Sequence, residues 1–525
     1  MKVPVYRLEP ARIDEGRLVE LATRLSAKSS AELSERGNRL VARAGDLELE
    51  QERSSGALWA SEPEKEPRPF DKVALPEERN VRSEAKKLLS EMELLPTFPS
   101  GEPFRLVELP LGGTFAAIRR GSKRTDRRLD AQARFAVEVT GPDGEFAPVV
   151  GGGGRFALSF GHEGRIVGYR GTWRSAIGEA ETAEAIGREE AEDRFRALTE
   201  SIEVSDVHSW LAYYAAPSYD AQEVLAPVYV FASKVMLGRR EVPMRLITIP
   251  ATDFGPYPPK QEPQPERKRT KQSRNPSRRA MAATASNPFE AGTSWIGLSG
   301  GLSGSQANAQ GFIDGLTADG WLANFNWGDG NAWESDWRRN DDTWVDAADF
   351  VFYTGHADMN GWTLAKPDDG SLVFTEVGAG PVSPGDLWGQ QDLEWVTIAA
   401  CGPLQDEILA KGGGDVLARW DGAFDGLHTM LAYGAITFDN TDEGRKLTQY
   451  AREGTPLIDA WFRAAKEIQP STNGSSAPDG PTVWVGAMYV IKGSADPRLD
   501  HLWGHGSISA DPRAPDTLVA MWSTT

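Results

Sequence analysis

"ADFVFYTG" (348–355) and "EWVTIAAC" (394–401) are short runs, apolar at nearly every position and bounded by polar or turn-forming residues. A half-exposed strand alternates apolar and polar residues, whereas a run apolar throughout is buried on both faces, as in a parallel sheet. "TSWIGLSG" (293–300), "LHTMLAYGAITF" (427–438) and "PTVWVGAMYVIKG" (481–493) read the same way. Helical patterns interleave with them in "SQANAQGFIDGLTADG" (305–320), "LQDEILAKG" (404–412) and "TDEGRKLTQYAREGTPLIDAWFRAAKEI" (441–468). The alternation predicts an α/β domain over residues 291–525, a mostly parallel sheet flanked by helices. Ligands are expected at the carboxyl ends of its strands.

Outward from this domain, the composition shifts at residues 253–290. That stretch is rich in Pro, Lys, Arg, Gln and Ser, with almost no large apolar side chain, and is expected to be a disordered, exposed linker. Its basic residues, among them Arg267, Lys268, Arg269, Arg278 and Arg279, suit a protease that cuts after Lys or Arg, or a flexible tether. Residues 1–80 read as a polar N-terminal segment, partly helical at 15–44. Residues 81–252 read as an α+β region: helices at 77–94 and 182–201, and strands at 104–111, 133–141, 154–161, 164–171, 225–233 and 243–251.

The chain has 525 residues, 40% of them hydrophobic, 17 tryptophans and a net charge of −19. The acidic excess lies after residue 290, which disfavours nucleic acid as a partner there and suits cationic peptides. No run of eighteen apolar residues is present and the start lacks a signal-peptide pattern. A cytoplasmic protein without a membrane span is therefore expected, or a secreted one if a leader has been removed.

Two strand ends carry the residues that could do chemistry. His356 follows the run ending at Gly355, and Cys401, the only cysteine, ends "VTIAAC" and precedes Gly402. Adjacent parallel strands would bring the two side by side. A thiol attacks as its thiolate, favoured by a helix N-terminus (expected from "LQDEILAKG") and by a nearby imidazolium. Backbone N–H groups around Gly355, Ala357 and Gly402 would face an oxyanion.

An apolar strand ending in Gly-His, followed by one ending in Ala-Cys-Gly, resembles the caspase, gingipain and legumain group of cysteine peptidases. "FNWGDGNAWESDW" with "DAADFVFYTGHADMNGW" (346–362) resembles more closely an uncharacterised caspase-like family. The layout around "GGGGRFALSFGHEGRIVGYRG" (151–171) resembles PepSY and propeptide-like modules, which implies an inhibitory or chaperoning prodomain. The resemblance implies an endopeptidase with a His356–Cys401 dyad acting on a protein or peptide substrate, activated by cleavage in the linker. An acidic pocket selecting Lys or Arg would draw on Asp358, Asp439 or Asp442. The family places Gly after the histidine, and Ala357 stands there instead, which opens the alternative of an inactive binding or structural protein. An acyl or thiol transferase using the same dyad is a third reading.

Other clusters are weaker. Trp321, Trp327, Trp333, Trp337 and Trp344 suggest a loop packed over the sheet edge rather than a carbohydrate platform. Asp329, Glu334, Asp336, Asp341, Asp342 and Asp346 are expected to be a solvated acidic loop. Ca²⁺ is the one ion they could hold, and no other cofactor is expected. His501 and His505 lie in a Gly-containing tail unsuited to a zinc pair, and His428 is expected to open a strand.

Overall fold

The computed structural model describes residues 1–62, 66–99, 101–177, 180–237, 240–257, 260–267, 289–365, 369–377, 387–474 and 481–525. Phe350–Thr354 and Trp395–Ala399 are strands, buried at every position, third and fourth in a sheet that has nine strands among the described residues. Side-chain alternation divides them between two cores. Phe350 and Phe352 pack with Phe312, Leu447 and Trp461 of the helices Ser305–Thr317, Glu443–Arg452 and Leu457–Ile468. Val351 and Tyr353 point the other way, toward Trp337, Trp362, Trp388 and Trp420.

The chain is thus mixed α/β with large sheets, but its layers differ from the expectation of helices on both faces. The second face is covered by tryptophan-bearing loops and the short helix Val416–Trp420. Two of the indoles are bonded as well as packed, whereas the buried Nε1–H groups of Trp337 and Trp362 have no hydrogen-bond partner among the described residues. Trp388 Nε1–H donates to the Trp337 carbonyl at 3.1 Å and Trp420 Nε1–H to that of Pro403 at 2.9 Å, so the burial of these large rings leaves both donors satisfied.

The strand order is Leu322–Gly328, Glu290–Trp295, Phe350–Thr354, Trp395–Ala399, Thr429–Tyr433, Trp484–Ile491, Thr517–Thr524, Thr114–Arg120 and Lys123–Arg128. The first five are parallel and the rest join antiparallel. The last two belong to the N-terminal half, which therefore completes the sheet instead of standing apart from it. Within 322–328, read from sequence as loop, alternate residues Phe325 and Trp327 pack at the sheet edge.

The preceding part is built on a fifteen-stranded sheet among the described residues, whose longest pair is Val204–Ala215 with Val224–Leu237. Helix Glu15–Ser26 starts where the Asp14 side chain accepts from Arg17 N–H. It buries Leu18, Leu21 and Leu25 at helical spacing, each worth about 2 kcal/mol when fully removed from water. The expected helix over 15–44 stops there. Its second half is the hairpin Glu32–Arg36 with Arg39–Ala44, turned at Gly37, whose φ of 59° glycine adopts freely.

Two further helix expectations are corrected. Gly454 (φ 84°) and Pro456 divide 441–468 into two helices. "LQDEILAKG" forms turns, because the Asp406 carboxylate accepts from Ile408 N–H at 3.0 Å and Val416 N–H at 2.9 Å, drawing the backbone away from helical bonding.

Candidate active site

Thr354 and Ala399 are register partners on adjacent parallel strands, so His356 and Cys401 each lie two residues beyond the same rung. The two loops touch. Gly402 adopts φ +79°, and a Cβ there would lie 3.5 Å from Met359 N and 3.6 Å from the Asp358 carbonyl carbon. Gly355 is required for a different reason, since a Cβ would sit 2.2 Å from the Tyr353 hydroxyl oxygen.

His356 is 1% exposed, and its Nε2 lies 2.7 Å from the Gly300 carbonyl oxygen. A carbonyl only accepts, so Nε2 carries the proton, and the basic lone pair is on Nδ1, which has no hydrogen-bond partner. Burial, aided by the nearby Arg245 cation, pulls the imidazole pKa down to about 4. The ring is neutral at physiological pH. Cys401, 2% exposed, accepts from Thr437 N–H at 3.3 Å and lies 3.6 Å from the Thr437 hydroxyl. No hydrogen bond joins His356 to Cys401 in this conformation.

The expected helix N-terminus behind Cys401 is absent, since 404–412 are turns. A different cation takes that place. Arg245, fully buried and contributed by the N-terminal half, donates to the Ala399 carbonyl at 2.8 Å, the Thr354 hydroxyl at 3.1 Å and the Phe438 carbonyl at 2.6 Å. It pairs with Glu443 at 3.2 Å, which offsets burial and keeps the guanidinium charged. Glu443 also accepts from Tyr433 Oη at 2.6 Å, Asn308 Nδ2 at 2.9 Å and Gln469 Nε2 at 2.9 Å. Sequence reasoning missed both residues. The signal available was an arginine inside the apolar run "PMRLITIPA".

Cys401 is also covered from the N-terminal side, by Val150, Ala212, Val228, Val230 and Leu246. Asp358 caps its own tight turn by accepting from Asn360 N–H at 2.9 Å and Gly361 N–H at 3.1 Å. Its other oxygen meets Arg240 Nη1 at 2.5 Å, from the strand Arg240–Pro243 of the N-terminal half. Ala357 is buried in a two-residue strand opposite Trp362. Asp439 accepts from Gly304 N–H at 2.8 Å, and burial raises its pKa against the pull of Arg245. Asp442 stands farther out, bonded to Arg445 Nε at 2.7 Å and Tyr219 Oη at 3.3 Å. Of the three pocket candidates, Asp358 is the one beside Gly402.

The acidic loop is not solvated as a whole. Glu334 and Asp336 are buried against Arg338 and Arg267. Asp346 is buried on the N–H groups of Gly389 and Gln391, and burial holds its carboxyl well above the usual range. Asp329 accepts from Gly297 N–H and Ser299 N–H, and Asp341 is buried, while Asp342 stays exposed beside Gln391. Trp321 and Trp337 are core residues. Among the described residues no group of three His, Cys, Asp or Glu side chains could hold a metal ion. His505 binds Asp319, His501 lies against the Ser507 carbonyl, and His428 precedes its strand and binds Asp500.

Arg267 is not exposed, contrary to the linker expectation; Lys268, Arg269, Arg278 and Arg279 lie outside the described residues. Among the described residues no helix is long and apolar enough to cross a membrane.

Residues 290–525 match a family described as a domain of unknown function, DUF6345. No curated protein matches the chain. Among solved structures, an uncharacterized protein from Eubacterium rectale ATCC 33656 is similar at 11% identity and a TM-score of 0.26, over 50% of this chain and 86% of that one.

Proposed function

We propose that the C-terminal domain is a caspase-like cysteine endopeptidase held latent by the N-terminal half, which acts as a propeptide-like cover. The observation that carries this reading is the placement of His356 and Cys401 two residues past one rung of neighbouring parallel strands, with the imidazole tautomer fixed by Gly300. Once the loops bring the side chains together, His356 Nδ1 takes the thiol proton and the Cys401 sulfur attacks the scissile carbonyl. The imidazolium returns that proton to the leaving amine, whose C–N bond breaks. Water then hydrolyses the thioester, releasing the acid and the free thiol. The orienting bond to Gly300 plays the part of the third group of a triad.

Specificity for Lys or Arg follows from Asp358. Arg240 of the cover already occupies this carboxylate, as the basic side chain of a substrate would. The apolar lid over Cys401 and this arginine together support latency.

An acyloxymethyl ketone bearing an Arg side chain tests the reading. With the cover displaced by limited proteolysis, it is expected to label Cys401 far faster than free cysteine, and to leave a Cys401→Ala chain unlabelled. Labelling no faster than free cysteine, before and after proteolysis, favours the second reading. That is a catalytically inactive binding protein, for which the buried thiol and Ala357 speak.

A further inference from the structure

Residues 261–267, "QEPQPER", belong by composition to the linker, yet the structure seats them across the ends of the strands Glu290–Trp295 and Leu322–Gly328. Two side-chain amides of the α/β domain clamp the segment's backbone. Gln306 accepts from Glu262 N–H at 2.7 Å and donates to the Glu262 carbonyl at 3.0 Å. Asn331 accepts from Arg267 N–H at 2.8 Å and donates to the Pro265 carbonyl at 2.9 Å. Each clamp reads a main chain and not a side chain, as receptors for extended peptides do.

The segment's own glutamines complete the seat. Gln261 bonds to Leu302 O at 2.7 Å and Leu298 N at 3.1 Å, and Gln264 to Gly328 N at 2.8 Å and Asn326 O at 3.2 Å. Gln261, Gln264 and Arg267 turn inward while Glu262, Pro263, Pro265 and Glu266 are exposed. A three-residue period with prolines between the contacts is that of a polyproline II segment, which loses little entropy on docking.

At the end of the groove the Arg267 guanidinium carbon lies 4.3 Å from the ring centres of Trp327 and Trp333 and 4.6 Å from that of Trp344. The guanidinium forks onto the carboxylate of Asp336, which is fully buried. A planar, weakly hydrated cation is what three indole faces and a buried carboxylate select. A buried carboxylate without a cation would be costly.

We propose that this groove is a recognition site for an extended, Gln- and Pro-containing peptide that delivers an arginine into the tryptophan cage, and that residues 261–267 are its tethered resident ligand. The site stands apart from the Cys401 chemistry and does not depend on it. Tethering holds the resident at millimolar effective concentration, so a peptide in trans competes poorly until the segment is displaced.

The test uses the full chain with the groove emptied by Gln264→Ala and Arg267→Ala, and a fluorescent QEPQPER peptide followed by anisotropy. The emptied chain is expected to bind saturably, at least about tenfold more tightly than the wild type. Replacing the peptide's arginine by citrulline, or adding Trp333→Ala to the emptied chain, is expected to weaken binding at least tenfold. An emptied chain that keeps the wild-type melting temperature but binds no peptide, or binds the citrulline peptide equally, overturns the proposal. Should that variant fail to fold, hydrogen exchange on the wild type decides. Protected Glu262 and Arg267 amides, the first released by Gln306→Ala and the second by Asn331→Ala, support the groove, and random-coil exchange of both in the wild type overturns it.

Discussion

Arg245 and Glu443 are both fully buried and face each other at 3.2 Å where the N-terminal half meets the parallel strand ends. Every oxygen around the guanidinium belongs to the α/β domain, so the pair is a joint between the two parts of the chain as much as a feature of the site. Arg245→Met leaves the Glu443 charge buried without its cation and is expected to cost about 3–5 kcal/mol, read as a lower urea midpoint. The double variant Arg245→Met/Glu443→Gln should recover much of that loss. A single variant as stable as wild type would mean that the pair does not hold the two parts of the chain together.

The buried imidazole predicts an acid-side weakness. His356 holds a pKa of about 4 in the folded chain against an ordinary 6.5, so between those values the unfolded state binds more protons. Stability is fully present above about pH 6.5 and falls as the pH drops toward 4, by about 3 kcal/mol in total from this group. His356→Gln should flatten the slope in that window. His428 is the control of opposite sign. Asp500 and Asp511 raise its pKa against burial, so its contribution is lost as pH rises through the folded value, and His428→Gln should alter the neutral-to-alkaline side.

Arg240 separates latency from stability. Its ion pair with Asp358 is about a third exposed on the arginine side, and Arg240→Ala is expected to cost under about 1 kcal/mol. If this arginine fills the place of a substrate side chain, the same change should speed labelling of Cys401 by an arginine-directed ketone with the melting temperature nearly unmoved. Unchanged labelling would assign Asp358 to its turn alone.

How much of this was legible follows from the kind of signal. The runs at 350–354 and 395–399 announced a sheet buried on both faces because apolar content is local, and the strand-end placement of His356 and Cys401 followed from it. The hairpin at 114–128 gave no such signal. Its strands carry Arg119, Arg120, Arg124, Arg127 and Arg128, and the carboxylates that Arg124 and Arg119 meet, Asp406 and Asp421, lie 282 and 302 residues away. "LQDEILAKG" misled because helix propensity does not register that Asp406 caps backbone N–H groups and binds Arg124. Arg267 looked solvated because a lone basic residue in a proline-rich stretch carries no mark of a tryptophan cage some sixty residues later in the chain.

Gly402 offers the last test, of whether the turn after Cys401 is shaped for chemistry or only for folding. Its φ of +79° costs an L-residue about 1–2 kcal/mol, while the nearest atom to an added Cβ, Met359 N at 3.5 Å, is at ordinary contact distance. Gly402→Ala should therefore fold, with a melting temperature lowered by about 1–4 °C. A carbonyl approaching Cys401 would meet the new methyl at the face where it must dock. If the turn forms a substrate site, labelling of Cys401 in the uncovered protein should fall well beyond what that modest destabilisation explains. Labelling reduced only in step with stability would place the glycine requirement in the backbone alone.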